Sequence, residues 1–313
     1  MRAKKIKHPF PHLQGRKYIV TGANSGIGLA ASKHLVADGA HVVMACRSQT
    51  KAGQAIDEIK EDYPEAKLSY LAFDQADFAK IDEFVLALKK SHSDFDGFVF
   101  NAGIYHPAKD AVTKQGFPLT TGTNYLGVYY LLTRLLEHGV LDNGKKIRLV
   151  FVGSFVWKSR YLQYLPGILD DATKGVQFQY YVSKTAIGTL AYALSHGYQL
   201  RKDLPLPTQV SVHLMHPGLT ATNIVNSNRK SFPKWFVRLA NYTLTLFTHG
   251  NEVASLAIPY ILGTAQPIEK AVVVPRGLFA ISGYPKAIPY PTALEKKPRQ
   301  LLAATLQLLK PYL

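Results

Sequence analysis

The sequence predicts an α/β fold: a doubly wound parallel sheet in a single domain, with helices on both faces. Three observations predict it. Short β-branched runs alternate with segments of helical periodicity along most of the 313-residue chain. Alternation at that pitch makes βαβ units, whose crossovers are right-handed. The first run, Tyr18-Ile19-Val20-Thr21, enters a glycine-rich turn that opens directly into a helical pattern. Finally, no uncharged apolar run approaches the roughly 18–20 residues a membrane span needs, so the 47% hydrophobic content belongs to a core.

Residues 1–16 read as a basic, proline-containing extension and 17–313 as the domain. After the glycine turn, Ile27, Ala30, Ala31 and Leu35 share a helix face, and Asp38-Gly39 ends that helix. His41 to Ala45 is a second, buried strand. Gln54 to Tyr63 is helical, with Ala55, Ile59 and Tyr63 on one face. Lys67 to Phe73 is a third strand, and Phe78 to Lys90 is helical through Ile81, Phe84, Val85 and Leu88. Gly97 to Asn101 is a fourth strand, Thr123 to His138 a helix, and Ile147 to Val152 a fifth strand. Tyr180 to Leu200 is a long helix and Val210 to Met215 a sixth strand. The stretch from Leu278 contains several prolines and an apolar helix from Leu301 to Leu309.

Composition narrows the function classes. The net charge is +16, and the first seventeen residues supply six Lys/Arg. A nucleic-acid partner is not expected, because no helix-turn-helix, zinc-ligand spacing or RNA-binding sheet motif accompanies the charge. The basic residues at the start lack a following apolar region, so they are not a secretory signal. The single cysteine, Cys46, excludes an intrachain disulfide and favours a reducing compartment, so a cytoplasmic location is expected. Cys46 follows Val42-Val43-Met44-Ala45 and reads as a small core residue rather than a reactive thiol.

The turn Gly22-Ala23-Asn24-Ser25-Gly26-Ile27-Gly28 has the spacing G-x-x-x-G-x-G, not G-x-G-x-x-G. Its glycines allow a sharp bend and close approach of a ligand, and the helix behind it offers free N–H groups to a pyrophosphate. Ligands of such sheets lie at the carboxyl ends of the strands. Strand two ends at Cys46-Arg47, and no acidic residue appears before Asp57. An NAD site usually has an acid there for the ribose 2′-hydroxyl. Arg47 instead offers a guanidinium fork to a 2′-phosphate, with Lys51 close behind. NADP(H) is therefore expected in preference to NAD(H).

Tyr180 and Lys184 lie four apart, on one helix face. A phenol titrates near 10 and is a poor acid–base catalyst at neutral pH. An ammonium about 4 Å away would favour the phenolate by up to roughly 4 kcal/mol at an effective dielectric near 20. That would bring the phenol down by about three pKa units, before screening.

Taken together, these motifs resemble the short-chain dehydrogenase/reductase family. They come in the family's order: Thr21 to Gly28, Asp74, Asn101-Ala102-Gly103, Asn124-Tyr125-Leu126-Gly127, Ser154, Tyr180 to Lys184, and His216-Pro217-Gly218. The similarity spans about residues 17 to 222. The Ala45-Cys46-Arg47 triplet and the Val152-Gly153-Ser154 strand end look like its retinol dehydrogenase and protochlorophyllide reductase branch, which generally uses NADP(H). The resemblance implies a Rossmann-type oxidoreductase that interconverts a carbonyl and an alcohol by hydride transfer. It implies Tyr180 as acid/base, and Lys184 on the nicotinamide ribose and lowering the tyrosine pKa. Ser154 would hydrogen-bond the substrate oxygen, and Asn124 would hold a water in a proton relay. Gly22, Asn24, Ser25, Gly26, Ile27 and Gly28 would hold the cofactor, with Arg47 on its 2′-phosphate. Asp74 would touch the adenine, and Asn101, Ala102 and Gly103 would wall the cleft. Pro217 and Gly218 would turn the chain so that Thr222 meets the carboxamide. A dinucleotide-binding regulatory protein without turnover is the alternative, against which the intact Asn124, Ser154, Tyr180, Lys184 set argues.

The gap from Ser154 to Tyr180 is long for the family and holds Trp157, Tyr161, Tyr164, Leu165 and Leu169. Ser159 competes with Ser154 there; Ser154 is preferred because it ends the strand. Residues 219–250 follow strand six and carry Phe232, Trp235, Phe236, Tyr242 and Phe247 with interleaved Arg229, Lys230, Lys234 and Arg238. An aromatic lid over an apolar or aromatic carbonyl substrate is one reading. A membrane-surface helix and a plain packing helix are the others. Peripheral membrane contact and a homo-oligomer stay open, as does the role of the C-terminal helix.

Overall fold

The computed structural model describes residues 13–105, 107–108, 111–154, 156–157, 175–218, 250–277 and 283–313. One eight-stranded sheet organises it, with strand order β3-β2-β1-β4-β5-β6-β7-β8. The strands are β1 (Lys17–Thr21), β2 (His41–Cys46), β3 (Lys67–Ala72), β4 (Gly97–Phe100), β5 (Ile147–Val152), β6 (Val210–Met215), β7 (Ala271–Pro275) and β8 (Pro285–Pro289). Every pairing is parallel except β7 with β8. The expected doubly wound parallel sheet is present, with one antiparallel strand added at its edge. β7 and β8 were not expected as strands: prolines at Pro275, Pro285 and Pro289 mask them, and the edge position of β8 tolerates its own.

Side chains alternate across the sheet with period two. Ile19, Val43, Phe98, Phe100, Leu149, Phe151 and Leu214 point to one core. Tyr18, Val20, Val42, Met44, Val99, Val150 and Met215 point to the other. Covering both faces is what makes the strands near-continuous apolar runs. Helices α3 (Phe78–Ser91), α5 (Gly127–Glu137), α6 (Val176–Ser195), α9 (Thr292–Glu295) and α10 (Pro298–Leu309) close the first core. Helices α1 (Gly26–Ala37), α2 (Gln49–Asp62) and α8 (Ala257–Gly263) close the second; α7 (Asn251–Ala254) packs beside α1. Phe100 stacks on Phe151 at 4.5 Å between ring centroids, so adjacent strands are held by aromatic contact at their carboxyl halves.

Several boundaries depart from the sequence reading. Helix α2 begins at Gln49 rather than Gln54, because the Ser48 hydroxyl accepts the Lys51 N–H at 3.3 Å and caps it. The helix expected from Thr123 starts at α4 (Leu119–Thr121) and passes through a π-helical turn, Gly122–Leu126, before α5. Helix α6 starts at Val176 and stops at Ser195, short of Leu200. Leu13, within the stretch expected as an extension, is fully buried in the second core. Cys46 is buried and unpaired, as the sequence implied.

Candidate functional site

Because β1 lies between β2 and β4, the sheet's topology switches direction there, and a crevice opens beyond the carboxyl ends of β1 and β4. Thr21, the last residue of β1, is fully buried. Its hydroxyl donates to the Val99 carbonyl at 3.1 Å and accepts the N–H groups of Asn101 and Ala102, each at 3.0 Å. Asn101 Nδ2 returns a bond to the Thr21 carbonyl at 2.9 Å and reaches the Gly22 carbonyl at 3.4 Å. The ends of β1 and β4 are thereby locked together, and Asn101-Ala102-Gly103 becomes one wall of the crevice.

The glycine turn is built for close approach. Gly22 and Gly26 have φ of 65° and 56°, a region costly for other residues. A Cβ on Gly28 would lie 2.4 Å from the Gly22 carbonyl oxygen and 2.5 Å from Asn101 Nδ2, so only glycine fits. A Cβ on Gly26 would meet nothing within 4 Å: that side of the turn is open. Ser25 stands at the N-cap of α1 without a side-chain capping bond. The helix therefore presents its N–H groups uncapped to the open side, an arrangement that suits a phosphate. Asn24 and Ala23 direct backbone N–H groups at the buried Cys46 thiol, whose pKa burial raises. Ile27 packs against the second core. Arg47 is exposed just past β2. Asp74, beyond β3, accepts the Ala76 N–H at 3.0 Å and so shapes its own turn.

On the other side of the crevice, β5, α6 and the π-helical turn meet. Ser154 and Tyr180 are hydrogen-bonded through their hydroxyls. Lys184 is buried, and its Nζ donates to the Val152 carbonyl at 3.0 Å. That Nζ and Asn124 Oδ1 would lie 3.6 and 3.2 Å from a Cβ on Gly103. Wall and constellation are therefore in contact. Asn124 Oδ1 accepts the Ile104 N–H at 2.8 Å, and Nδ2 donates to the Ile104 carbonyl at 2.9 Å and to Ser183 Oγ at 3.2 Å. Ser183 Oγ donates to the Tyr180 carbonyl at 2.8 Å. The amide of Asn124 is thus a brace between the crevice wall and α6.

The electrostatics differ from the sequence expectation. Burial pushes the Tyr180 phenol up to about 12, opposed by the Ser154 hydrogen bond, with Tyr105 and Tyr181 adding to the rise. Burial also brings Lys184 down to about 8. Desolvation leads the shift of both groups, and Lys184 is not among the influences on the phenol. The Tyr105 ring stands edge-on to Tyr180, 4.6 Å between centroids. Tyr181 stands at 6.3 Å, its hydroxyl receiving a 2.7 Å bond from Gln177. The sequence reading passed over Thr21, Tyr105 and Ser183 as site residues.

His216 is buried, accepts the Gly218 N–H at 2.9 Å and meets the edge of Trp157 at 5.6 Å. Pro217 and Gly218 close β6 with a turn in which Gly218 has φ of 78°. Thr222, the segment 219–249, Ser159, Tyr161, Tyr164, Leu165 and Leu169 lie outside the described residues. No helix among the described residues is long and apolar enough to cross a membrane. Among those residues no cluster of His, Cys, Asp or Glu could hold a metal ion.

A parallel sheet with an open glycine turn at its switch point, facing a buried lysine and a hydrogen-bonded serine–tyrosine pair, defines an α/β protein of the dinucleotide-binding class. The family model described as short chain dehydrogenase matches residues 16–166. Human polyprenol dehydrogenase is 30% identical over 238 residues, 75% of this chain and 68% of that protein. The chain belongs to the short-chain dehydrogenase/reductase family. Two further relatives place it in the branch anticipated above. Mouse retinol dehydrogenase 14 is 28% identical over 222 residues, 68% of this chain and 63% of the relative. The chloroplastic protochlorophyllide reductase of Chlamydomonas reinhardtii is 39% identical over 152 residues, 48% of this chain. The match spans only 38% of that reductase. Among solved structures, a protein of Mycobacterium paratuberculosis superposes with a TM-score of 0.67 at 22% identity, covering 96% of each chain. An actinorhodin polyketide ketoreductase with NADPH gives 0.58 at 21% identity, covering 79% of this chain and 90% of the other. At these identities the structures speak for the fold.

Proposed function

We propose that this chain is an NADP(H)-dependent oxidoreductase that interconverts a carbonyl and an alcohol on an apolar or aromatic small molecule. The observation that carries the proposal is the Ser154–Tyr180 hydroxyl pair, hydrogen-bonded at the carboxyl end of β5 beside the buried Lys184. Two hydroxyl donors at one place suit a single oxygen on which negative charge develops. The phenol, held protonated by burial, is the proton donor when that oxygen belongs to a carbonyl. When it belongs to an alcohol, Tyr180 takes the proton back. Lys184, fixed by the Val152 carbonyl, would bind the cofactor's ribose, and Asn124, bonded to Ser183 of α6, would hold a water in a proton relay.

The chain's residues fit a dinucleotide. Gly22, Asn24, Ser25, Gly26, Ile27 and Gly28 would cradle its pyrophosphate on the open side of the turn. Asn101, Ala102 and Gly103 would wall it, and Pro217, Gly218 and Thr222 would lie on the carboxamide side. Asp74 would meet the adenine. The exposed Arg47 past β2 would take a 2′-phosphate, which favours NADP(H). A bound nicotinamide supplies or accepts the hydride. Tyr105 and Tyr181 surround the phenol with aromatic surface, which supports an apolar or aromatic substrate.

The test is a panel of aliphatic, aromatic and sugar carbonyl compounds, followed by NADPH and NADH oxidation. Turnover of apolar carbonyls with NADPH is expected. Tyr180→Phe should abolish it while NADPH still binds, since only the proton donor is lost. Retention of most of kcat in that variant would overturn the acid/base assignment.

A further inference from the structure

We infer that Gln75 is a positioning residue of the active site: its buried carboxamide clasps the crevice wall to the π-helical turn that carries Asn124. The inference rests on the dehydrogenase reading for its catalytic consequence, though not for its geometry. Gln75 is 3% exposed, in the loop between β3 and α3. Its Nε2 donates to the Ala102 carbonyl at 3.1 Å and to the Thr123 carbonyl at 2.6 Å. Ala102 is the middle of the wall, and Thr123 immediately precedes Asn124. The amide can face only one way, because turning it over would set Oε1 against two carbonyl oxygens. Its Oε1 is left buried without a partner, a cost that a merely space-filling side chain would avoid.

The π-helical turn explains the need. Within Gly122–Leu126 the ladder shifts to i→i+5, shown by the Gly127 N–H bonding the Gly122 carbonyl. A widened turn departs from the regular ladder, and its carbonyls call for partners from outside the helix. Gln75 supplies one to Thr123. The loop is pressed into the helix at the same point: a Cβ on Gly127 would lie 2.1 Å from the Gln75 carbonyl oxygen. The Asp74 side chain holds the loop's bend through the Ala76 N–H. Asn124 is then fixed from both sides, by Gln75 through its neighbour and by Ile104 and Ser183 through its own amide.

The experiment compares the full chain with Gln75→Met, which keeps length and removes both donors. Hydrogen exchange is read peptide by peptide. Amides of residues 119–127 should exchange at least about tenfold faster in the variant, with those of β2 and α1 unchanged. On a carbonyl substrate found by the panel, kcat should fall by about tenfold to a hundredfold with KM little moved, as for a small misplacement of a reacting group. Wild-type exchange at 119–127 in a folded Gln75→Met protein, or an unchanged kcat, would overturn the inference. If the wild type turns over nothing, the dehydrogenase reading fails and the exchange result still decides the clasp. Gln75→Glu guards against a misfolded Met variant. Its ionised carboxylate repels the two carbonyls, whereas its protonated form donates one bond, so protection of 119–127 should rise as pH falls. Protection that ignores pH, or global unfolding of both variants, would also overturn a local clasp.

Discussion

Thr21→Val tests whether the switch point is held by one hydroxyl. The exchange preserves shape and replaces the hydroxyl by a methyl group. It removes the donor to the Val99 carbonyl and the acceptor for the Asn101 and Ala102 N–H groups. The Asn101 N–H keeps the Val99 carbonyl at 3.0 Å, so one half-buried backbone donor, the Ala102 N–H, loses its partner, at about 1–3 kcal/mol. A loss of about 1–3 kcal/mol is expected, the lower end if the loop after β4 relaxes towards water. Thr21→Ser keeps the hydroxyl and loses one methyl, worth about 1 kcal/mol. Urea unfolding at pH 7 of the wild type and both variants measures the difference, with cofactor titration as a second readout. The valine protein should be clearly the weaker in both assays, because Asn101 to Gly103 lose their anchor. If the valine and serine proteins were equally stable, the hydroxyl would not be what holds the two strand ends.

Two further outcomes follow from the site. Lys184 titrates near 8 in the fold against 10.5 for a free lysine, so its charge opposes folding. That cost, about 3 kcal/mol, is present in full below pH 8 and is relieved as pH rises towards 10.5. Lys184→Met should therefore be the more stable protein at pH 7 by up to that amount, and its advantage should shrink by pH 9.5; an advantage constant with pH in unfolding curves would contradict this. Arg47→Ala should weaken NADPH binding by about 1.5–3 kcal/mol, the scale of a charge-assisted bond, and leave NADH nearly unaffected, as fluorescence titration would show; equal losses would mean that Arg47 acts through the fold.

Most of the sheet was legible because both of its faces are covered. Runs such as Ile147 to Val152 and Val210 to Met215 are mostly apolar, with Arg148, Ser211 and His213 the exceptions, and their ends were marked by polar or turn residues. The constellation was legible because Tyr180 and Lys184 sit on one helix and Ser154 ends a strand. Illegible were the contacts that depend on distant partners. Gln75 meets Thr123 across 48 positions, and Thr21 meets Asn101 across 80. Periodicity could not announce a π-helical turn, since Gly122–Leu126 is buried all round. The phenol's titration was misjudged because spacing shows which groups are neighbours and not how dry they are. Ser48 is a different case: its capping signal was present in the sequence and was passed over.

Strand β8 has a bearing on how copies of this chain meet. The Arg276 N–H bonds the Tyr284 carbonyl at 2.6 Å, and antiparallel pairs alternate from there. Lys286 and Ile288 therefore bond inward to Val274 and Val272, leaving positions 285, 287 and 289 to face outward. Two of those three are proline, which has no N–H to give. Along this border only Ala287 offers a donor, so a foreign strand finds almost nothing to zip onto. The sheet ends here in a blunt margin that resists edge-to-edge aggregation. A concentrated solution of the protein is guarded against growing ribbons from this side, and stable self-association would have to be sought on its helical flanks or at the opposite edge, β3, which has no proline.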